Sequence, residues 1–160
     1  MIEKKNFYIN GKWTSPSKPN NFKVIDPSTE EPFAIISLGS IEDTDKAISA
    51  AKNAFGTWRE TSKEKRLSLL EKFDRIYNRR WGEMVKAQST EMGAPLDYAS
   101  EIHTKMGADI SKNTIKILKD FNFEHQFNPK SNNHIRYEPI GVCGLITPWN
   151  FPMNQIVLKV

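Results

Sequence analysis

Cysteine is almost absent from this chain. Its 160 residues include one thiol, Cys143, so no disulfide can form within the chain. Disulfides persist in oxidising compartments, and a chain without any fits a reducing one. We therefore expect a cytoplasmic protein.

Long apolar runs and metal-ligand spacings are also missing. No stretch approaches the roughly 18 apolar residues that a membrane-spanning helix needs, and the first eight residues lack the apolar core of a secretory signal. The three histidines, His103, His125 and His134, do not have the spacing of a zinc site. These absences predict neither a membrane partner nor a metal.

Charge of one sign is not concentrated anywhere. The chain has 23 basic and 19 acidic residues, a net charge of +4, and the two signs alternate along most of its length. This pattern is typical of a solvated mixed surface and does not favour nucleic acid as a partner. The composition, 38% hydrophobic and 26% charged, is that of a globular domain.

Short strands are predicted first. Residues 7–13 contain Asn10-Gly11 between two apolar runs, which is the strongest local pattern for a β-hairpin. Residues 22–26 and 33–38 predict two further strands, the first ended by Asp26-Pro27 and the second by Gly39.

Four helices are predicted next. Ser40-Ile-Glu-Asp43 is a capping box, and Thr61-Ser-Lys-Glu64 is a second one. The first helix has an apolar face and the second an apolar stripe, and both should be buried. The members of the face are Ala47, Ile48, Ala51, Ala54, Phe55 and Trp58, and those of the stripe are Leu67, Leu70, Phe73, Ile76 and Tyr77.

Glycines and one aspartate delimit the other two helices. We predict a break at Gly82 and a short helix that ends at Gly93. Asp97 is expected to cap a long fourth helix that runs to about residue 118, with a bend at Gly107. A polar stretch and an edge strand at 134–138 follow.

The last part of the chain is the most informative. An apolar run at 142–146 predicts a buried strand, Thr147-Pro-Trp-Asn150 forms its tip, and residues 153–160 predict a helix. In α/β proteins, ligands bind at the carboxyl ends of such strands. The strand has no later strands to pair with, so we expect an incomplete α/β fold.

Asn150 has two interpretations that the spacing does not separate. Its carboxamide is an uncharged N–H donor, suited to an oxygen that becomes negative during acyl-type chemistry. Alternatively, it caps the helix that follows, as asparagine commonly does.

Three other residues near the tip favour structural roles. Cys143 lies inside the apolar run and is expected to be a small buried hydrophobe, not a nucleophile. Gly141 and Gly144 lack the third glycine of a phosphate-binding fingerprint and are expected to admit a neighbouring backbone. Lys159 points either towards the same site or towards water.

The order and the amino-acid sequences of these segments resemble those of the aldehyde dehydrogenase superfamily. The most specific match is the stretch from Glu138 through Pro148-Trp-Asn-Phe-Pro152 to Lys159. Ile9-Asn-Gly-Lys-Trp13, Asp26-Pro-Ser-Thr-Glu30 and Glu91-Met-Gly-Ala-Pro95 resemble the amino-terminal half of that family in the same order.

The resemblance implies an oxidoreductase that converts an aldehyde to a carboxylic acid with NAD or NADP, through a cysteine thiohemiacetal and thioester. It implies that Asn150 stabilises the oxyanion and that Lys159 has a supporting polar role. Ile146, Thr147, Pro148 and Trp149 would line the dinucleotide site. Residues 1–160 would form the amino-terminal part of the NAD(P)-binding domain. The ribbon 124–138 would contribute to assembly into a homodimer or homotetramer.

The family's nucleophilic cysteine and general-base glutamate match nothing in this chain, and Cys143 is not at the nucleophile's position. We therefore expect an amino-terminal portion of the enzyme, without its catalytic domain and inactive alone. The alternative is a non-catalytic interaction or assembly module whose strand at 134–138 pairs with a partner's sheet edge.

Overall fold

The computed structural model describes residues 1–160 of the chain, which form small sheets and a helical layer. The strands are β1 (Ile2–Lys4), β2 (Phe7–Ile9), β3 (Lys12–Thr14), β4 (Asn21–Asp26), β5 (Glu31–Ser37), β6 (Glu124–Gln126) and β7 (His134–Arg136). The helices are α1 (Ile41–Trp58), α2 (Lys63–Arg79), α3 (Trp81–Met92), α4 (Leu96–Tyr98), α5 (Lys105–Asp120) and α6 (Pro152–Val157). A π-helical segment, Ala99–Thr104, joins α4 to α5. The predicted α/β class is confirmed.

The amino-terminal strands form two sheets. β5 lies between β1, which is parallel to it, and β4, which is antiparallel. β2 and β3 form the predicted hairpin, in which Asn10 and Gly11 have positive φ values of 53° and 76°. Two such residues in succession make the turn whose twist matches that of the strands. The sequence analysis missed β1.

Helix α1 begins as predicted. The Ser40 hydroxyl accepts from the Asp43 backbone N–H at 3.2 Å, and the Asp43 carboxylate accepts from the Ser40 N–H at 3.0 Å. The same carboxylate accepts from the backbone and hydroxyl of Ser17, each at 2.8 Å, which ties the preceding loop to the helix. Hydrogen bonds from the Ser40 backbone and then from Ser17 hold the pKa of Asp43 well below its usual range.

The predicted burial of the apolar face of α1 is wrong for this chain. Ile48 and Trp58 are 40% and 50% exposed, and of the face only Phe55 is half-buried. Strand β2 lies beside Ala47, and most of this face of α1 stays open to solvent. The amphipathic pattern predicted the helix correctly but not a partner for its face.

The core lies in the helical layer formed by α2, α3, the π-helical segment and α5. Tyr77 of α2 is 3% exposed and donates its hydroxyl to the Thr104 carbonyl at 2.9 Å. Gln88 of α3 donates to the Thr104 hydroxyl at 2.8 Å. Thr104 is fully buried, so these bonds satisfy groups that water cannot reach.

Several predicted helix details need correction. Gly82 lies inside α3, and the break falls at Arg80 instead. Asp97 does not cap the fourth helix, which begins at Leu96 without a side-chain cap. Gly93 does end α3, with a φ of 71°.

Gly107 has a steric reason to be glycine that its spacing did not predict. An added Cβ there would meet the Tyr77 hydroxyl and lie 3.0 Å from its Cζ. The helix irregularity is the π-helical segment, which ends at Thr104. Segments of this kind are often found at functional sites.

The carboxyl-terminal part of the chain begins with an antiparallel ribbon. β6 pairs with β7, with Gln126 opposite His134, and the loop between them contains Asn128-Pro129. None of the helices is both long and apolar enough to cross a lipid bilayer.

Candidate functional site

All predicted site residues except Lys159 lie in the segment 138–150, which we call the carboxyl-terminal arm. It has no helix or strand, and none of its backbone N–H or carbonyl groups makes a backbone hydrogen bond. The expected burial of 142–146 is therefore wrong for this chain. A strand needs a partner within hydrogen-bonding reach, and the chain gives the arm none.

The arm presents its four predicted cofactor-binding residues to solvent. Ile146 and Trp149 are 89% and 82% exposed, and Thr147 and Pro148 between them are exposed as well. This stretch combines unpaired backbone donors and acceptors with apolar side chains.

Asn150 is exposed at the end of the arm and makes no side-chain hydrogen bond to α6. The residue at the cap position of α6 is Phe151, and no side chain caps that helix. The helix-cap interpretation of Asn150 is therefore wrong. Its carboxamide is left free to donate to a group outside the chain.

Helix α6 attaches the end of the arm to the helical layer. Its first residue is Pro152, whose fixed φ and missing N–H suit that position. The ring of Phe151 lies 4.5 Å from the ring of His103 in the π-helical segment, centroid to centroid. Asn154, one turn into α6, is 7% exposed, and its Oδ1 has no hydrogen-bond partner.

The spacing of His103 bears only on metal binding and does not predict how its ring packs. It is 4% exposed, and its second ring neighbour is Tyr98, at 5.0 Å and close to edge-on. Burial lowers the pKa of His103, because the charged imidazolium loses its hydration. Asn154 was missed too, although a polar residue four positions after Asn150 on a short helix was visible in the sequence.

Lys159 does not bond to Asn150. Its ammonium donates to the side-chain oxygen of Gln155 at 2.8 Å and, more weakly, to the Gln155 carbonyl at 3.4 Å. It also lines a largely apolar cavity of about 530 Å³ between α2 and α5, beside Phe73 and Leu118. The two predicted catalytic residues, Asn150 and Lys159, therefore lie on one short segment of the chain but do not bond to each other.

Cys143 is exposed, so its prediction as a buried hydrophobe is wrong for this chain. Its thiol lies 3.8 Å from the carbonyl of Gly141. The glycines do not admit a neighbouring backbone, since nothing lies within 4 Å of a Cβ built at Gly141 or Gly144. Gly141 has its own reason to be glycine, a φ of 126°.

Comparison with known proteins agrees with the family resemblance of the Pro148-Trp-Asn-Phe-Pro152 motif. The profile of the aldehyde dehydrogenase family matches residues 13–160. A 3-succinoylsemialdehyde-pyridine dehydrogenase from Pseudomonas sp. is 42% identical over 161 residues, which covers 100% of this chain and 33% of that protein. A putative aldehyde dehydrogenase from Staphylococcus saprophyticus is 40% identical over 152 residues, 95% of this chain and 31% of that protein.

Solved structures share the fold. An aldehyde dehydrogenase from Bartonella henselae has a TM-score of 0.96 at 50% identity and covers 99% of this chain. A mutant aldehyde dehydrogenase C from Pseudomonas syringae, in a complex with NAD+ and octanal, has a TM-score of 0.91 at 36% identity and covers 96% of it. The chain spans about a third of the length of the relatives it matches, 33% of the first curated protein and 33% of the first structure. With its profile match over residues 13–160, the chain belongs to the aldehyde dehydrogenase family.

Proposed function

We propose that this chain is the amino-terminal part of an NAD(P)-dependent enzyme that oxidises an aldehyde to a carboxylic acid. Within that enzyme, Asn150 stabilises the negative charge that develops on the aldehyde oxygen. The observation that carries the proposal is the free carboxamide of Asn150, which is exposed and does not cap α6.

The chemistry explains why a neutral donor is suited to this position. When a nucleophile adds to the aldehyde carbon, the carbonyl oxygen gains a full negative charge. A neutral amide N–H fixed near that oxygen stabilises the charge by donating a hydrogen bond. Because the amide is uncharged, it does not bind the substrate beforehand as a counter-ion would. Removal of one such donor typically costs about 3–4 kcal/mol of barrier.

The arm would hold the dinucleotide along Ile146, Thr147, Pro148 and Trp149. Their exposed apolar side chains and unpaired backbone groups support this assignment. When bound, NAD or NADP supplies the acceptor for the hydride that leaves the aldehyde carbon. In this proposal, the chain contributes the surface that contacts the dinucleotide and fixes its orientation.

Lys159 takes the supporting polar role in this proposal. Its ammonium is held by Gln155 at 2.8 Å, one turn earlier in the chain. That bond fixes a positive charge at the carboxyl end of α6, where a cation is stabilised by the helix dipole.

Domain and assembly assignments complete the proposal. Residues 1–160 form the amino-terminal part of the NAD(P)-binding domain, and the ribbon 124–138 contributes to a homodimer or homotetramer. The ribbon is suited to this because β7 pairs with β6 on one side only, which leaves its other edge free. We assign the enzyme to the cytoplasm, in keeping with its single thiol.

The test is the Asn150→Ala substitution in the enzyme that carries this segment, assayed for aldehyde-dependent NADH formation. We expect kcat to fall about 100- to 1,000-fold with the Kd for NAD unchanged. The matched control is Asn53→Ala, the same substitution at an exposed position of α1 outside the arm and the ribbon, which should leave kcat unchanged.

Unchanged turnover in Asn150→Ala would reject the oxyanion role. The 160-residue chain alone should form no NADH from any aldehyde. If it does, the assignment as a part of a longer enzyme is wrong. If the full-length protein that carries this segment does not oxidise aldehydes but assembles through the ribbon, the assembly-module alternative is correct.

A further inference from the structure

The position of Asn150 is not fixed by any bond of its own. Its side chain is exposed, and the arm before it makes no backbone hydrogen bond. A donor that stabilises a transition state must nevertheless be held in place, because a displacement of about 1 Å can cost about 100-fold in rate. Within this chain, the contacts that can fix Asn150 come from the residues next to it.

Phe151 is the first residue after Asn150 that contacts the helical layer. Its backbone is non-helical, with φ −144° and ψ 66°, so the chain changes direction at this residue. Its ring packs on His103 with a centroid distance of 4.5 Å and an interplanar angle of 51°. His103 in turn packs on Tyr98 at 5.0 Å and 69°. Tilted and edge-on pairs at these distances are favourable aromatic geometries.

His103 is itself held firmly. The next residue, Thr104, is fully buried and accepts hydrogen bonds from Tyr77 and Gln88. These bonds come from α2 and α3, so two other helices fix the end of the π-helical segment. A continuous series of contacts thus runs from the core through His103 and Phe151 to Asn150.

We propose that His103 is a positioning residue for the oxyanion donor and that it acts through the ring of Phe151. This inference rests on the proposed role of Asn150. The π-helical segment places the His103 ring against Phe151, where the chain changes direction. The Phe151 ring, packed on His103, then fixes the direction in which the Asn150 carboxamide projects from the arm.

The proposed role requires the ring and not a charge. His103 Nδ1 is buried and has no hydrogen-bond partner. Burial also lowers the pKa of the imidazole, which disfavours the charged form of the ring. A phenylalanine ring should therefore replace it, whereas leucine, which fills the space without a ring, should not.

The first experiment measures position without activity. In the 160-residue chain, the side-chain amide resonances of Asn150 are identified by their absence from the Asn150→Ala variant. His103→Leu should shift or broaden them, and His103→Phe should leave them close to wild type. His134→Leu, at an exposed histidine of the ribbon, is the matched control and sets the background change.

The second experiment measures rate in the enzyme that carries this segment. His103→Leu should lower kcat about tenfold without changing the Kd for NAD, and His103→Phe should stay within about twofold. In the Asn150→Ala background, His103→Leu should cause little further loss, because the residue it positions is already absent.

The two experiments separate the two hypotheses. If Asn150→Ala leaves kcat unchanged while His103→Leu still shifts the Asn150 resonances, the oxyanion role fails and the positioning contact survives. If the resonances do not respond to His103→Leu, or if Leu and Phe have equal effects, the positioning role is wrong. A His103→Leu variant that fails to fold while His103→Phe also shifts the resonances would overturn it as well.

Discussion

The helical segment 96–120 and the carboxyl-terminal arm differ in how this chain holds them. The first contains Ala99, Thr104 and Ala108, which are 0%, 0% and 2% exposed. The arm contains Ile140 and Ile146, which are 93% and 89% exposed, and it makes no backbone hydrogen bond. The motif most specific to the family thus lies where the chain supplies least structure of its own. Helix α6 and the His103–Phe151 contact are the link between the two regions.

The largest expected difference between the two regions is in a pair of tryptophans. Trp81 is half-buried, packs edge-on against Tyr77 at 6.4 Å and donates to Ser100 at 3.0 Å. Trp81→Ala should lower the free energy of unfolding by about 3 kcal/mol. Trp149→Ala, in the arm, should change it by less than about 0.5 kcal/mol.

Urea denaturation of the 160-residue chain measures both. Equal losses at the two positions would mean that the arm is packed into the core, which contradicts the exposed placement of Trp149.

The next largest effect tests the close approach of α5 to α2. Gly107→Ala should destabilise the chain by about 1–3 kcal/mol, because the new methyl group meets the buried Tyr77 ring. Gly56→Ala in α1 is the matched control. Nothing lies within 4 Å of its new methyl group, and it should stabilise the chain by about 0.4–1 kcal/mol. If Gly107→Ala stabilises the chain as Gly56→Ala does, the close approach of Gly107 to Tyr77 is refuted.

A smaller effect tests the hydrogen bond to the π-helical segment. Tyr77→Phe leaves the buried Thr104 carbonyl without its donor at 2.9 Å and should cost about 1 kcal/mol. Burial of the same side chain, which disfavours the charged phenolate, raises the pKa of Tyr77 to about 12. Tyr8→Phe, at a residue that is 63% exposed, should have no measurable effect on unfolding.

The smallest effect is a pH dependence from His103. Burial lowers its pKa in the folded state, so the unfolded chain binds the proton more readily. Stability from this group is complete above the ordinary histidine pKa of about 6.5 and is lost as the pH falls through the folded value. His103→Phe should therefore flatten the acid limb of the stability profile. A profile identical to wild type would show that burial does not lower the pKa of His103.

Local patterns in the sequence predicted local structure well. The Asn10-Gly11 turn and the Ser40 capping box are both present, because each depends on a few adjacent residues. β1 was missed, since three residues paired in parallel with a distant strand have no local pattern. The π-helical segment was missed because its apolar spacing is that of an ordinary helix.

The site was predicted less completely than the fold. The strand-to-helix tip gave the place of Asn150, and the family resemblance gave its proposed role. Neither could show that 142–146 would be unpaired or that the face of α1 would be uncovered, because both depend on what packs against them. His103 and Phe151 are 48 positions apart by their numbering, and only the fold brings their rings together.

The most direct test of the central claim is a single-turnover measurement of hydride transfer in the enzyme that carries this segment. It compares wild type with Asn150→Ala and Asn150→Asp at saturating NAD. If Asn150 stabilises a negative oxygen, alanine should slow the first turnover about 100-fold or more, and aspartate should slow it further by placing like charge beside the oxyanion. Equal rates for the three proteins, or a faster rate for aspartate than for alanine, would contradict the account.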